Sequence, residues 1–261
     1  MKPKVAGIRC VHLATCPSTQ DYLSNHLDEW LPRLPVCVTA DHQSGGRGRE
    51  NRSWHSPPGL GLYLSWGFRL RQKKSLPWVP LAVGVVVAEL LETYCGKRTV
   101  RLKWPNDVLI KGRKVAGILS ESRLTPEGAI CICGIGINLN HLETDFPPDL
   151  AQSATSMRLS CNRYPSPETL LTLTLNRLTG VVDDLEKQRI RGLRARVRRF
   201  TSWMRSGNME FHQGKNRHQG RFKGIATDGG MILVTKKGKK MIFYSGEVEM
   251  TDPGNNSTTH R

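Results

Sequence analysis

The chain has 261 residues, of which 38% are hydrophobic and 23% are charged, and its net charge is +17. These values are typical of a globular protein and exclude a chain that is disordered throughout. The length allows one large catalytic domain with a small appendage, and the excess of positive charge favours an anionic partner.

Strand and helix patterns alternate over residues 5–160. Ser18 and Thr19 stand where a helix cap is expected, and three leucines follow at helical spacing. These are Leu23, Leu27 and Leu31. Residues 78–94 predict a second helix, and six segments have strand patterns. The six are residues 36–39, 60–68, 99–102, 108–110, 115–120 and 130–137. This order predicts an α/β (α+β) catalytic domain with a mixed sheet packed by helices.

The longest apolar stretch, residues 77–91, is interrupted by Pro80 and Gly84 and contains Glu89. A membrane-spanning helix needs about 20 apolar residues, so we interpret this stretch as a buried helix. No apolar run of signal-peptide length follows the charged N-terminus. We therefore expect a cytoplasmic protein with no membrane association.

The remaining residues predict helices followed by a small β-barrel. Within residues 165–200, four apolar residues form one stripe of a helix, and six arginines between positions 189 and 199 occupy its other faces. The stripe consists of Ile190, Leu193, Val197 and Phe200. Short strand patterns separated by glycine-containing turns then fill residues 220–250. We predict three units, which are a catalytic domain over residues 1–206, a barrel over 207–250 and a disordered polar tail over 251–261.

Positive charge is concentrated in residues 187–240, which hold 16 Lys or Arg residues but only Glu210 and Asp228 as acidic residues. Such a region fits nucleic acid, an acidic protein surface or a membrane face. A solvated face that only aids solubility fits equally well.

The chain has seven cysteines, an odd number with irregular spacing. Cys131 and Cys133 are predicted on one face of a strand, but no second Cys or His pair with zinc spacing accompanies them. We therefore predict reduced structural thiols and no metal site. The seven are Cys10, Cys16, Cys37, Cys95, Cys131, Cys133 and Cys161.

The first candidate binding segment is the basic loop, residues 42–52, which follows a predicted strand. Its glycines allow close approach of a ligand and expose backbone N–H groups. Arg47, Arg49 and Arg52 offer planar forks for carboxylate or phosphate. The loop lacks the Gly-Lys-Ser/Thr of a P-loop, and a flexible basic surface loop is the alternative interpretation.

Two later segments also hold candidate residues. Residues 103–107 read Lys-Trp-Pro-Asn-Asp, which is a common turn sequence on its own. Lys114 opens an apolar strand, where a purely structural lysine is unexpected. Asn138 ends another apolar strand, a position from which polar side chains often enter a site. An ordinary strand-ending turn also explains Asn138.

Together and in this order, these segments resemble the sequence signatures of the biotin–protein ligase family. The matching motifs are Gly46-Arg47-Gly48-Arg49, Lys103-Trp104-Pro105-Asn106-Asp107, Lys114-Val115-Ala116-Gly117-Ile118-Leu119 and Gly136-Ile137-Asn138. Ser18 and Thr19 resemble the family's Ser-Thr-Asn segment, but Gln20 replaces its Asn, and Asn51 replaces a frequent glycine of the loop. Residues 220–248 resemble the family's C-terminal SH3-like domain. No helix-turn-helix pattern precedes Val5, so the resemblance is to the short form without the N-terminal DNA-binding domain.

The resemblance implies a two-step reaction. The biotin carboxylate attacks the α-phosphate of ATP to give biotinyl-5′-AMP and pyrophosphate, and an acceptor lysine then displaces AMP. Biotin and ATP are the implied substrates, with Mg²⁺ held largely by phosphate oxygens rather than by protein ligands. The implied acceptor is a biotin carboxyl carrier protein or domain of a biotin-dependent carboxylase. We expect no DNA partner and either a monomer or a homodimer.

The resemblance also implies roles for individual residues. The matched catalytic positions are Arg47, Arg49 and Lys114, of which we expect Arg49 and Lys114 to matter most to the rate. The positions matched to biotin binding are Ser18, Thr19, Gln20, Gln43, Gly46, Arg47, Gly48, Arg49, Lys114 and Gly117. The positions matched to ATP or the adenylate are Arg49, Arg52, Trp54, Lys103, Asn106 and Asn138, with Trp54 expected against the adenine.

Two alternatives stay open. A lipoate– or octanoate–protein ligase would share the fold, although the Gly-Arg-Gly-Arg loop with Lys-Trp-Pro-Asn-Asp favours biotin. A nucleic-acid-binding protein would need aromatic residues interleaved with basic residues on one exposed face. The aromatic residues available in the basic region are Phe200, Trp203, Phe211 and Phe222.

Overall fold

Two β-sheets organise the described residues, which are 4–5, 7–161 and 163–251 in this computed structural model. The larger sheet has eight strands in the order β1-β2-β3-β4-β8-β7-β6-β5. Their bounds are β1 Lys4–Val5, β2 Ile8–Cys16, β3 Val36–Gln43, β4 Gly61–Leu70, β5 Val100–Lys103, β6 Asp107–Ile110, β7 Arg113–Thr125 and β8 Gly128–Asn138. Strand β2 runs parallel to β3 and the other pairs are antiparallel. The predicted mixed sheet is confirmed.

Helices cover both faces of this sheet. They are α1 Thr19–Asn25, α2 Leu27–Trp30, α3 Val79–Cys95, α4 Met157–Ser160, α5 Pro167–Glu186 and α6 Ile190–Thr201. Because side chains alternate along a strand, β8 contributes Ile130 and Ile132 to the core under α1 and Cys131 and Cys133 to the larger core under α3. The polar end of the first face carries the cavity described below.

Helix α3 is the centre of the larger core, and 11 of its 17 residues are buried. Among the described residues, Lys73–Cys95 is the one stretch long and apolar enough for a candidate membrane span, and 67% of its apolar window is buried inside the protein. The predicted buried helix is confirmed. It ends at Gly96, whose positive φ of 90° suits glycine.

The helix predicted after Ser18 is shorter than its leucine spacing indicated. Ser18 caps α1, and its hydroxyl accepts a hydrogen bond from the Asp21 amide at 3.3 Å. The helix stops at Asn25, α2 follows as a single turn, and Leu31 lies in a 3₁₀ turn that contains Pro32. Proline removes a backbone donor, so the helix does not continue there.

The second sheet is antiparallel, with the order β12-β11-β10-β9-β13. Its strands are β9 Asn208–Gln213, β10 Asn216–Ile225, β11 Met231–Thr235, β12 Lys240–Phe243 and β13 Glu247–Thr251. The predicted small C-terminal sheet is confirmed, although its strands begin before residue 220. Thr251 ends β13 and is not part of a tail, whereas residues 252–261 lie outside the described residues.

The arginines of α6 contact other parts of the protein. Leu193, Val197 and Phe200 are buried as the stripe predicted. Arg196 donates to both carboxylate oxygens of Glu89, at 2.9 and 2.7 Å. Arg199 pairs with Glu92 and Arg194 donates to the Ile225 carbonyl, while Arg189, which directly precedes α6, pairs with Asp183 and Asp184. These contacts make α6 a connector between α3, α5 and the second sheet as well as a basic face.

The aromatic residues that a nucleic-acid-binding protein would need on its surface are buried or partly buried in the folded chain. Phe200, Phe211 and Phe222 are each buried, and Trp203 is partly buried, with its indole N–H donating to the Leu102 carbonyl at 3.1 Å. Bases need exposed aromatic faces on which to stack. These four aromatic residues therefore serve packing.

The prediction that all cysteines are reduced is wrong for two of them. Cys95, the last residue of α3, forms a disulfide with Cys161, which directly follows α4. The other cysteines among the described residues, which form no disulfide, are Cys10, Cys16, Cys37, Cys131 and Cys133, and all are buried. Local spacing did not indicate the bond because the two residues are 66 positions apart and meet only after α3 and α4 pack together.

We predict that Cys161→Ser lowers the free energy of unfolding by about 2–4 kcal/mol, because the cross-link restricts a long loop of the unfolded chain. Denaturant unfolding with and without a reductant measures this. The reductant should destabilise the wild type to the level of the variant and leave the variant unchanged. Equal stability of wild type and variant without reductant would contradict the prediction.

Candidate active site

A cavity of about 390 Å³ lies at the polar end of the α1 face. The start of α1, the basic loop, strands β4, β7 and β8 and the turn after β5 all contribute to its walls. The predicted site residues that line it are Ser18, Thr19, Gln20, Gln43, Arg47, Gly48, Arg49, Arg52, Trp54, Lys103, Asn106, Lys114, Gly117 and Asn138. The fold thus brings together segments that are up to 120 positions apart in the sequence.

Gly46 is the one predicted site residue that does not line the cavity. A Cβ atom on Gly46 would lie 2.5 Å from the Trp54 carbonyl oxygen and 2.7 Å from Ser56 Oγ. The Trp54 amide donates to the Gly46 carbonyl at 2.8 Å. Gly46 therefore lets the basic loop pack closely against residues 54–56, and its predicted biotin contact stays a prediction.

Four buried polar side chains form the floor of the cavity, and we call them the polar floor: Thr19, Gln20, Gln43 and Ser65. Gln43 Oε1 accepts from the Thr19 amide at 2.9 Å and from its hydroxyl at 3.1 Å. The Thr19 hydroxyl lies 2.9 Å from Ser65 Oγ, which donates to Gln20 Oε1 at 3.1 Å. Buried polar groups are costly unless they are paired, and here each contacts another.

The three arginines of the basic loop are held by protein acceptors. Arg47 pairs with Asp21 and, at 2.7 Å, with Glu121. Its hydrogen bond to Asp21, supported by Glu121, raises the pKa of Arg47 further above its ordinary value. The loop is thereby tied to α1 and to β7.

The other two arginines contact the second sheet. Arg49 donates to Asn106 Oδ1 at 3.3 Å and to the Gly246 carbonyl at 3.0 Å. Arg52 pairs with Glu247, which also lines the cavity. The connection between β12 and β13 therefore closes one side of the site.

Paired glycines form a flat surface beneath Trp54. Gly117 on β7 and Gly136 on β8 are directly opposite each other in the sheet. A Cβ on Gly117 would lie 2.9 Å from the Trp54 ring, and one on Gly136 would overlap it. Only glycine at both positions lets the indole reach the strands.

Lys114 is exposed to the cavity next to this indole. Its ammonium group lies 5.4 Å from the centre of the Trp54 ring and 2.7 Å from Asp107 Oδ1. The backbone of Lys114 is held on both sides, since its N–H donates to Ser153 and its carbonyl accepts from Thr155. Asn138 Nδ2 donates to the Thr155 carbonyl at 3.0 Å, which joins the same segment to β8.

Several lining residues were not predicted from the sequence. Ser65 is a polar residue inside the otherwise apolar strand β4, a signal that could have identified it. Glu247 also lines the cavity and gave no local signal, because its partner Arg52 is distant in the sequence. His55 lines the cavity beside the fully buried His141, and burial lowers the pKa of His141 to about 4, so that it is neutral at pH 7.

Known proteins resemble this chain in sequence and in fold. The model of the biotin/lipoate A/B protein ligase family matches residues 13–138. The chain is 31% identical to the biotin–[acetyl-CoA-carboxylase] ligase of Paracoccus denitrificans, over 80% of this chain and 90% of that one. It is 29% identical to the bifunctional ligase/repressor BirA of Bacillus subtilis, over 96% of this chain and 76% of the relative.

Among solved structures, the biotin protein ligase of Aquifex aeolicus in complex with biotin and ATP superposes with a TM-score of 0.75. The two chains are 29% identical, and the match covers 93% of this chain and 98% of that one. The mixed sheet, the small C-terminal sheet and the extent of the sequence match all lead to one assignment. The chain belongs to the biotin–protein ligase family.

Proposed function

We propose that the chain is an ATP-dependent ligase that forms biotinyl-5′-AMP and transfers the biotinyl group to a lysine of a biotin carboxyl carrier protein or domain. One observation carries this proposal. A single cavity joins a buried polar floor, suited to a neutral hydrogen-bonding ring, to a loop with three arginines, suited to anionic groups. Biotin has both parts, a cyclic urea and a carboxylate.

The first step needs two anions to meet. An oxygen of the biotin carboxylate attacks the α-phosphorus of ATP, a new P–O bond forms, and the bond to pyrophosphate breaks. Positive charge aimed at the reacting oxygens lowers such a barrier. Arg49 and Lys114 are our choice for this role, with Arg47 holding the loop in place.

The nucleotide occupies the other half of the cavity in this proposal. Trp54 packs against the adenine, and Asn138 and Arg52 contact the nucleotide. Lys103 and Asn106 face the phosphates. In the second step the acceptor lysine attacks the carbonyl of the mixed anhydride, an amide forms, and AMP leaves with the bonding electrons.

Mg²⁺ fits this site as an ion carried by the phosphates. Among the described residues, no group of three or more His, Cys, Asp or Glu side chains could hold a metal. The two carboxylates that line the cavity, Asp107 and Glu247, are already paired with Lys114 and Arg52. When bound, the ion would neutralise phosphate charge.

We infer a cytoplasmic location, because ATP and carboxylase carrier domains are present there. The Cys95–Cys161 disulfide is uncommon in that compartment, where thiols are generally kept reduced. Counting free thiols in protein trapped with an alkylating reagent inside cells tests whether the bond forms there.

Exchange of labelled pyrophosphate into ATP tests the proposed reaction. Purified protein with Mg²⁺ is given biotin, lipoate or octanoate in parallel. Exchange with biotin alone supports adenylate formation from biotin. Exchange with lipoate or octanoate instead would keep the mechanism and overturn the substrate, and no exchange with well-folded protein would overturn the proposal.

We predict that Arg49→Ala lowers the rate of biotin-dependent exchange by about 100-fold, the loss typical of removing one donor to developing charge. The variant should also release adenylate faster, because Arg49 links the loop to Gly246. Arg123→Ala is the control, since that arginine forms an exposed ion pair with Asp28. Unchanged synthesis and retention of adenylate would remove Arg49 from the mechanism.

We also predict that affinity for an acidic acceptor domain falls as ionic strength rises from ~0.01 M to ~0.15 M, over which the Debye length shortens from about 30 Å to about 8 Å. Four exposed lysines cluster at the turn before β12 and at the first residue of that strand: Lys236, Lys237, Lys239 and Lys240. Replacing all four with Gln should flatten the salt dependence. Affinity of the wild type that does not change with salt would contradict electrostatic steering.

A further inference from the structure

A two-residue turn places Arg113 at the start of β7, directly before Lys114. The turn joins β6 to β7 through Lys111 and Gly112, whose φ angles of 50° and 84° are both positive, as a type I′ hairpin turn requires. Side chains then alternate along the strand. Lys114 lines the cavity, whereas Arg113 does not, and the Arg113 side chain is 31% exposed. Arg113 is therefore next to the site but outside the space that a substrate would occupy.

The Arg113 guanidinium binds two backbone carbonyls of the chain between β8 and α4. Its Nε donates to the Ala154 carbonyl at 2.8 Å, and its Nη2 donates to the Ala151 carbonyl at 2.9 Å. Hydrogen bonds from a charged donor are stronger than neutral ones, and the planar fork of arginine has a fixed geometry. The third nitrogen, Nη1, lies 3.6 Å from the exposed carboxylate of Glu143. Arg113 therefore fixes the position of the two carbonyls relative to β7.

We call residues 150–155 the wall segment. Its residues that line the cavity are Leu150, Ser153 and Ala154. The segment lies beside the first residues of β7, in the place that β8 occupies further along the strand. The Lys114 amide donates to the Ser153 carbonyl at 2.7 Å, and the Thr155 amide donates to the Lys114 carbonyl at 2.8 Å. With the two bonds from Arg113, four hydrogen bonds join the wall segment to the start of β7.

The wall segment belongs to the half of the cavity that we assign to the nucleotide. The Thr155 carbonyl accepts from Asn138 Nδ2 at 3.0 Å, which joins the segment to a residue expected to contact the nucleotide. The polar floor lies instead on α1, β3 and β4. A change in the position of the wall segment should therefore alter the nucleotide half of the cavity and leave the polar floor in place.

We propose that Arg113 is a positioning residue that holds the wall segment in place for ATP and contacts no substrate itself. This inference rests on the proposed function. Without the guanidinium, two backbone carbonyls lose their donor, and one of them belongs to the buried residue Ala154. A buried acceptor without a partner is costly, so the segment moves toward water. The wall then no longer fits the nucleotide before it binds, and this loss of preorganisation lowers the affinity for ATP.

Arg113→Met tests this inference, because methionine keeps part of the apolar stem but has no N–H donor in its side chain. We expect the KM for ATP in biotin-dependent pyrophosphate exchange to rise about tenfold, since hydrogen bonds from a charged donor are lost. The exchange rate at saturating ATP should stay within about twofold of the wild type, because only binding is weakened. Biotin affinity, measured by calorimetric titration without ATP, should equal that of the wild type.

Two further variants separate the carbonyl bonds from the charge of Arg113. Glu143→Gln removes the exposed ion pair with Arg113 and keeps both carbonyl bonds. Because exposed pairs contribute little, this control should keep the wild-type KM for ATP. Arg113→Lys keeps the charge but replaces the planar fork with a single ammonium group. Its KM for ATP should lie between those of the wild type and Arg113→Met.

The outcomes distinguish a failure of this inference from a failure of the proposed function. A wild-type KM for ATP in folded Arg113→Met would overturn the inference. An equal loss of affinity for ATP and for biotin would also overturn it, because that result indicates a general structural role. If Arg113→Met does not fold, a wild-type KM for ATP in Arg113→Lys has the same consequence. A folded wild type that shows no exchange with biotin would instead overturn the proposed function.

Discussion

Side chains of neighbouring antiparallel strands share one face only while the register between the strands is kept. Strands β4, β8 and β7 keep one register along the cavity, where Ser65 lies opposite Gly134 and Gly117 lies opposite Gly136. A shift of one residue would turn each of these side chains to the other face. It would place Cys133, Ile135 and Ile137 of β8 in the cavity and Gly134 and Gly136 in the core. The apolar core under α3 therefore stabilises the register on which the site depends.

This constraint explains why small and polar residues interrupt strands that are otherwise apolar. Burying a polar side chain without a partner costs about 1–3 kcal/mol, so such residues persist only where they are paired. In the polar floor, each side chain contacts another from a different segment. A glycine on the same face makes room for Trp54 or for Gln20. Contacts between different segments therefore hold the floor together.

The basic loop has a different physical character from the floor. Its arginines range from 21% to 63% exposed and are held by acceptors on α1, on β7 and at the start of β13. Exposed ion pairs of this kind contribute little to stability. They can therefore exchange protein acceptors for ligand anions at small cost, which suits a loop that must open for substrates and close over a reactive intermediate. The second sheet takes part in the site through this loop.

The sequence by itself determined the motifs of the cavity, the buried helix α3, the apolar stripe of α6 and the mixed sheet, because each depends on residue type and local periodicity. It also indicated 14 of the residues that line the cavity, through their resemblance to one family. Only the tertiary structure decided that Gly46 packs against Trp54 and Ser56, that Arg47 is held by Asp21 and Glu121, and that Cys95 meets Cys161. The physical reason is the sequence separation of the contacting residues. Periodicity relates residues that are close along the chain, whereas these contacts join distant residues that strand register and helix packing bring together.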